Sequence, residues 1–143
     1  MKVLANESPK DIELLGKKKL VNFNIEQVTK ENEDGTTYIM YQYEQLRFKP
    51  TDTPKYIEDT VKDYRLNNLK VTTTGGKTFY ADPSSRVDLR DAIAQAEDKG
   101  LPSTTWKLAE DFEGSRYAVV TLDELKEASS LALEEKGKIV GAL

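Results

Sequence analysis

Two signals predict an α+β protein: β-forming runs joined by tight-turn residues, and two amphipathic segments that open on helix-start motifs. The β-forming runs include Val21, Phe23 and Ile25 at period two, then TYIMYQYEQLRFK beyond Asp34-Gly35. The helix starts are Asp82-Pro83-Ser84-Ser85 and Thr121-Leu122-Asp123-Glu124. The expected layout is an N-terminal long antiparallel β-hairpin and short helix. A C-terminal ββα-ββα module follows, with two capped helices packed on short antiparallel hairpins. The expected segments are an arm over 1–16, the hairpin with its helix over 17–68, and a compact module over 69–143.

Along the chain, Ile12, Leu14 and Leu15, preceded by Ser8-Pro9 and closed by Gly16, read as one helical turn within the arm. The alternation that begins at Val21 loses phase at Val28, so the clean period-two pattern ends near Gln27. ENEDGTT (31–37) reads as a hairpin tip; it lacks the alternating ligands and distal Glu of a calcium loop. On the returning strand Ile39, Tyr41 and Tyr43 share one face while Leu46 and Phe48 fall on the other, which predicts a bulge or twist near Glu44-Gln45. Pro50, Asp52 and Pro54 break the sheet, and Tyr56 or Ile57, Val61 and Tyr64 give a short helix ended by Asn67-Asn68.

Leu69 to Thr74 and Lys77 to Ala81 form a second hairpin around Gly75-Gly76. The next helix carries Ser85 and Asp88 at capping-box spacing, buries Leu89, Ala92, Ile93 and Ala96, and stops at Gly100 and Pro102. A third hairpin is expected to cross a long charged loop over 110–114. The last helix starts in the Thr121 to Glu124 box, buries Leu122, Leu125, Ser129, Ala132 and Leu133, and ends at Gly137 before a KIVGAL tail.

The 143 residues suit one domain or two very small ones, with 25 acidic against 21 basic residues and a net charge of −4. Basic residues are interspersed with acids, so a nucleic-acid footprint is not expected. Lys17-Lys18-Lys19 is the sharpest cluster and reads as a solvated strand edge, with a phosphate contact as the alternative. The chain has neither cysteine nor histidine, which removes thiolate nucleophiles, Cys or His metal sites and the commonest general base. No run approaches a membrane span, and MKVLANESPKDIELL is too charged for a secretory core; a soluble chain without membrane insertion is expected.

No catalytic, cofactor-binding or metal-binding residue is therefore assigned, and no small-molecule substrate is evident. Asp123-Glu124 and Glu110-Asp111 are sequence neighbours, whereas glycosidic cleavage needs two carboxyls facing each other across a cleft. Gly75-Gly76 before Lys77-Thr78 is no phosphate loop, because a strand follows. Ser84-Ser85 serve a helix start. Arg86 and Trp106 are structural-anchor candidates: stacked together they would lock helix to hairpin, while an exposed Trp106 would mark a partner surface. Tyr38, Tyr41, Tyr43 and Phe48 are the candidate partner contacts on the ribbon, the alternative being that they pack on the domain or the short helix.

The order GGKTFYADPSSRVDLRDAIAQA, TTWKLAED, YAVVTLDELKEASSLA resembles a domain of unknown function found in tail-associated proteins of bacteriophages and prophages. Gly76, Phe79, Ser84 or Ser85, Arg90, Ala92, Ile93, Ala96, Trp106, Thr121, Glu124 and Leu125 take that family's pattern, and EDFEGS departs from it. EDGTTYIMYQYEQLRF and YIEDTVKDYRL also look like the segment often placed before this module. The resemblance implies a non-catalytic tail or baseplate protein, in the virion or in host cytoplasm during assembly. Its implied partners are other tail proteins, with a homo-oligomer possible. The alternatives are a phage-carried cell-wall hydrolase working through carboxylates and a small regulator that binds a host protein.

Overall fold

A computed structural model describes residues 1–15 and 18–141. Its element order is β1 (Lys2–Ala5), β2 (Ile12–Leu15), β3 (Lys18–Glu31), β4 (Thr37–Phe48), α1 (Pro54–Asn67), β5 (Lys70–Thr72), β6 (Thr78–Tyr80), α2 (Pro83–Lys99), β7 (Ser103–Phe112), β8 (Ser115–Thr121) and α3 (Leu122–Val140). The α+β class and the hairpin-then-helix order match the expectation. The contacts divide into two units, Met1–Asp59 and Thr60–Leu143, so the seam falls inside α1 rather than at Asn67-Asn68.

The first unit is a four-stranded antiparallel sheet in the order β1-β4-β3-β2. The expected arm is part of this sheet. Residues 12–15 form a strand on β3 instead of a helical turn, and Lys2–Ala5 pair with Tyr41–Glu44 of β4. Long-range pairing overrides local helical spacing here, because a four-residue segment cannot sustain a helix alone. Gly16 and Lys17, which were expected to close the arm and open the basic cluster, lie outside the described residues; Lys18 is exposed and Lys19 half-buried.

The seam between arm and sheet is held by Asn22, which is 3% exposed. Its N–H donates to the Asp11 carbonyl at 2.8 Å, its Nδ2 to the Lys10 carbonyl at 2.7 Å, and its Oδ1 accepts from Gln45 Nε2 at 2.9 Å. A residue on the polar side of the alternation is therefore a buried bracket with its hydrogen-bonding groups satisfied.

β3 runs on past the end of the clean alternation at Gln27, to Glu31. The loss of phase at Val28 comes from a bulge between Phe23 and Glu26: Asn24 and Ile25 together oppose Tyr43. Asn24 takes φ 53°, a left-handed conformation that Asn tolerates better than most residues. The distortion expected in β4 near Glu44-Gln45 thus lies across the ladder, in β3. Beyond the strands, Lys49 N–H donates to Asp52 Oδ2 and Tyr56 N–H to Thr53 Oγ1, so the Pro50 to Pro54 break is a hydrogen-bonded turn that starts α1. Asn68 ends α1, its Nδ2 and N–H both donating to the Tyr64 carbonyl.

In the second unit, β5-β6 and β7-β8 form two hairpins, with α2 and α3 packed on each other. The core is Val71, Phe79, Ala81, Leu89, Leu108, Val120, Leu125, Ala128 and Ala132. Phe79, Leu89, Leu108 and Val120 have no exposed surface, and burying a side chain of this size contributes roughly 1.5–3 kcal/mol each.

α2 starts earlier than the Ser85/Asp88 spacing suggests. Asp82 is the N-cap and Pro83 follows, its fixed φ suited to the first helical position. Asp82 accepts from Ser84 Oγ at 2.9 Å and Ser85 Oγ at 2.6 Å, so the expected Ser85 capping box is not formed and, among the described residues, no side chain caps the N–H groups at the start of α2. Gly100 (φ 65°) ends the helix, with its N–H and that of Leu101 bonded to the last carbonyls.

The expected loop over 110–114 is mostly strand. β7 continues to Phe112, and the turn is only Glu113-Gly114, at φ 51° and 81°. Positive φ at both central positions is the two-residue hairpin geometry that matches strand twist, which explains why a long loop is not needed. α3 also differs from the expected stripe and stop. Leu125, Ala128, Ala132, Gly137 and Ile139 are buried, whereas Leu133 is 67% exposed, and the helix passes Gly137 to end at Gly141. Only Ala142 and Leu143 of the expected tail lie outside the described residues.

Candidate functional site

The ribbon tip is built by Asp34 and Gly35. Asp34 accepts from Thr36 N–H at 3.0 Å and Thr36 Oγ1 at 2.6 Å, and these bonds hold its carboxyl below its ordinary pKa. Asn32 Nδ2 donates to Thr36 Oγ1, and Gly35 supplies φ 87°. The 31–37 acids therefore shape a turn.

Past the last β1 pair, Ala5 with Tyr41, the ribbon continues as two strands through Lys30–Tyr38 to Glu31–Thr37. β2 pairs with β3 only over Lys18 to Val21. Among the described residues, 27–31 and 37–40 therefore have no third strand, leaving roughly 14 Å of ladder with open edges. Tyr38 and Ile39 are exposed there, at 41% and 55%.

The four nominated ribbon residues separate by burial. Tyr38 is exposed and Tyr41 half-buried, but Tyr43 and Phe48 are buried and so are corrected out of the contact surface. Tyr43 lies in the four-stranded part of the sheet, opposite the bulge, and Phe48 meets Tyr56 of α1 edge-on with ring centroids 6.2 Å apart. Ile39, not nominated from sequence, joins Tyr38. Its adjacent cross-strand partner Thr29 is exposed too.

Arg86 and Trp106 line separate clefts in the second unit. Arg86 lies in a cleft of about 530 Å³ between α2 and α3, with Arg90, Ile93, Lys126, Leu133 and Lys136. Trp106 lies half-buried against the core and lines a cleft of about 540 Å³ with Tyr80, Asp88, Asp91, Gln95 and Lys107. The expected stacking of Arg86 on Trp106 is thus replaced by Trp106 packing on the core and Arg86 facing α3. The cation over an aromatic ring is Lys77, whose Nζ stands 5.2 Å from the centroid of Phe112.

Asp88 and Asp91 share the Trp106 cleft; sequence spacing marked Asp88 only as a capping-box residue and did not mark Asp91. Both stand on α2, while β7 contributes Thr105, Trp106 and Lys107. Two acids three residues apart on one helix lie on the same wall, whereas paired-acid glycoside cleavage needs them across the bond from each other.

Of the remaining candidate acids, Glu124 and Asp111 have structural partners. Glu124 Oε1 accepts from Thr121 N–H while Thr121 Oγ1 accepts from Glu124 N–H, both at 3.1 Å, completing a capping box. Burial acts to raise the Glu124 pKa, but hydrogen bonds from Lys77 and the Thr121 N–H, with the Lys77 charge, outweigh it and lower the value. Asp111 pairs with Arg116 at 3.4 Å. Among the described residues, no group of three Asp or Glu is placed to hold a metal ion, and no helix is long and apolar enough to cross a membrane. Compared with protein-family models, curated proteins and solved structures, the chain matches none.

Proposed function

We propose that the chain is a non-catalytic structural or assembly protein of a bacteriophage or prophage tail, working through protein–protein contacts with tail or baseplate components. Its place is the virion tail, or the host cytoplasm while tails assemble. The observation that carries the contact reading is the two-stranded end of β3 and β4, with Tyr38 and Ile39 exposed beside open strand edges. Natural sheets usually cover or blunt such edges, and an uncovered one suits strand addition anchored by aromatic and aliphatic side chains. The tail assignment rests on the resemblance carried by residues 75–133.

The test is co-expression of the chain with the tail genes of the phage or prophage that encodes it, followed by gradient sedimentation. The chain is expected to sediment with tail assemblies. Recovery only at the top of the gradient, from lysates in which complete tails form, would overturn the assignment.

A further inference from the structure

The cleft between α2 and α3 concentrates positive charge in a protein whose net charge is −4. Arg86 and Arg90 from α2 and Lys126 and Lys136 from α3 line it, around the aliphatic side chains of Ile93 and Leu133, and no acid is among its lining residues. Lys126 is neutralised by Glu97 at 2.8 Å. Among the described residues, Arg86, Arg90 and Lys136 have no ion-pair partner, and the Arg86 Nε is buried without an acceptor. Like charges gathered on facing helices repel, so the unpaired cations of Arg86, Arg90 and Lys136 fit an external anionic partner. Leu133, 67% exposed on the same surface, adds an apolar seat that a simple anion would leave unused.

The dimensions identify the kind of anion. Lys126 to Lys136 spans roughly 15 Å of helix and Arg86 to Ile93 roughly 10 Å. A single phosphate covers only a fraction of that length, whereas an extended chain of roughly four or five residues fills it.

We propose that this groove binds an acidic peptide segment of another protein, its aliphatic side chain seated between Ile93 and Leu133 and its carboxylates on Arg86, Arg90 and Lys136. The site is separate from the ribbon and stands or falls without the tail assignment.

The test is fluorescence anisotropy with the full chain and an end-blocked, labelled Glu-Asp-Leu-Glu-Asp peptide, with Gln-Asn-Leu-Gln-Asn and Glu-Asp-Gly-Glu-Asp as controls. The acidic Leu peptide is expected to bind and to weaken with added salt. It is expected to bind at least about ten-fold more tightly than the uncharged peptide and about three-fold or more above the Gly peptide. R90Q/K136Q is expected to remove most of this binding, and Leu133→Ser to erase the Leu-over-Gly preference. Both variants change surface positions, so unaltered thermal unfolding verifies the fold without touching Arg86.

Equal binding of the Leu and Gly peptides, or binding unaffected by R90Q/K136Q, overturns the proposal. So does displacement of the peptide by an equal concentration of inorganic phosphate, which marks a site for small anions. Concentration-dependent mass of the free chain that R90Q/K136Q abolishes also overturns it, because the occupant is then a second copy.

Discussion

Lys77 Nζ stands 2.8 Å from Glu124 Oε2 and 3.1 Å from the Val119 carbonyl, tying the β5-β6 turn to the cap of α3 and to β8. The same carboxylate closes the Thr121 capping box, so one residue links three elements of the second unit. Both side chains are mostly shielded, at 13% and 21% exposure, which sets this pair apart from the solvated pairs Lys55–Asp59 and Lys138–Glu135. Glu124→Ala is expected to destabilise the unit by about 1–3 kcal/mol, and Lys77→Met by less; a urea double-mutant cycle should return a favourable coupling. Additive single-mutant effects would show that the two side chains do not act together.

Acid should loosen this junction and the start of α2. The Glu124 and Asp82 carboxyls sit below their ordinary pKa values of 4.5 and 3.8 in the folded chain, so the unfolded chain binds protons first as pH falls. For Asp82, burial pushes upward, and the hydrogen bonds from Ser85 and Ser84 prevail. Their contribution is full above those ordinary values and is lost as pH falls through the lowered folded ones. Unfolding free energies measured between neutral and acid pH should decline in that acid window, and Glu124→Gln should flatten the decline. An unchanged slope would contradict the role given to Glu124.

The two hairpin turns differ in how well their residues suit their backbone. Glu113 holds φ 51° at a position that Asn favours, so Glu113→Asn should raise stability by about 0.5–1 kcal/mol. Gly76 has φ 87°, and an added Cβ would meet only Phe112 Cε2 at 3.9 Å, so Gly76→Ala should cost about 1–2 kcal/mol through backbone strain alone. Gly75→Ala, without a positive φ, should cost less. Thermal melts of the three variants decide the order.

Leucines 125 and 133 share a helix but not a fate. Leu125→Ala, at 1% exposure, is expected to cost about 2–5 kcal/mol, whereas Leu133→Ala should leave stability within about 0.5 kcal/mol. Similar losses at both positions in denaturant unfolding would contradict the observed phase of α3.

These contrasts follow what local sequence can specify. Asp34-Gly35, Gly75-Gly76, the Thr121 to Glu124 box and Gly100 act within a few residues, and each was legible as a turn or helix end. Ile12 to Leu15 became a strand because β3 lies beside it, and Asn22 became buried because the chain at Lys10 and Asp11 folds over it. Neither partnership leaves a periodic trace. The bulge at Asn24-Ile25 was visible only as a lost phase at Val28, which names neither the strand nor the residue. In α3, Ala128 lies inside and Leu133 outside: with small and large apolar residues on several faces, size misdirects the choice of stripe.

The candidate sites were less legible for the same reason. Tyr38 could be nominated by its place near the hairpin tip, but the burial of Tyr43 and Phe48 depends on β1 and α1. Arg86, Arg90 and Lys136 are scattered among acids along the chain, and only the packing of α2 on α3 brings them to one groove.

The most direct measurement is incorporation of a Tyr38→Ser/Ile39→Ser double variant into tails, scored by immunoblot of gradient-purified assemblies against a normally folded surface control such as Lys55→Ala. The double variant is expected to keep its circular dichroism and thermal midpoint and to fall at least about ten-fold in incorporation, because two exposed apolar anchors are lost from the ribbon. Wild-type incorporation by the folded double variant would contradict the ribbon as the contact surface.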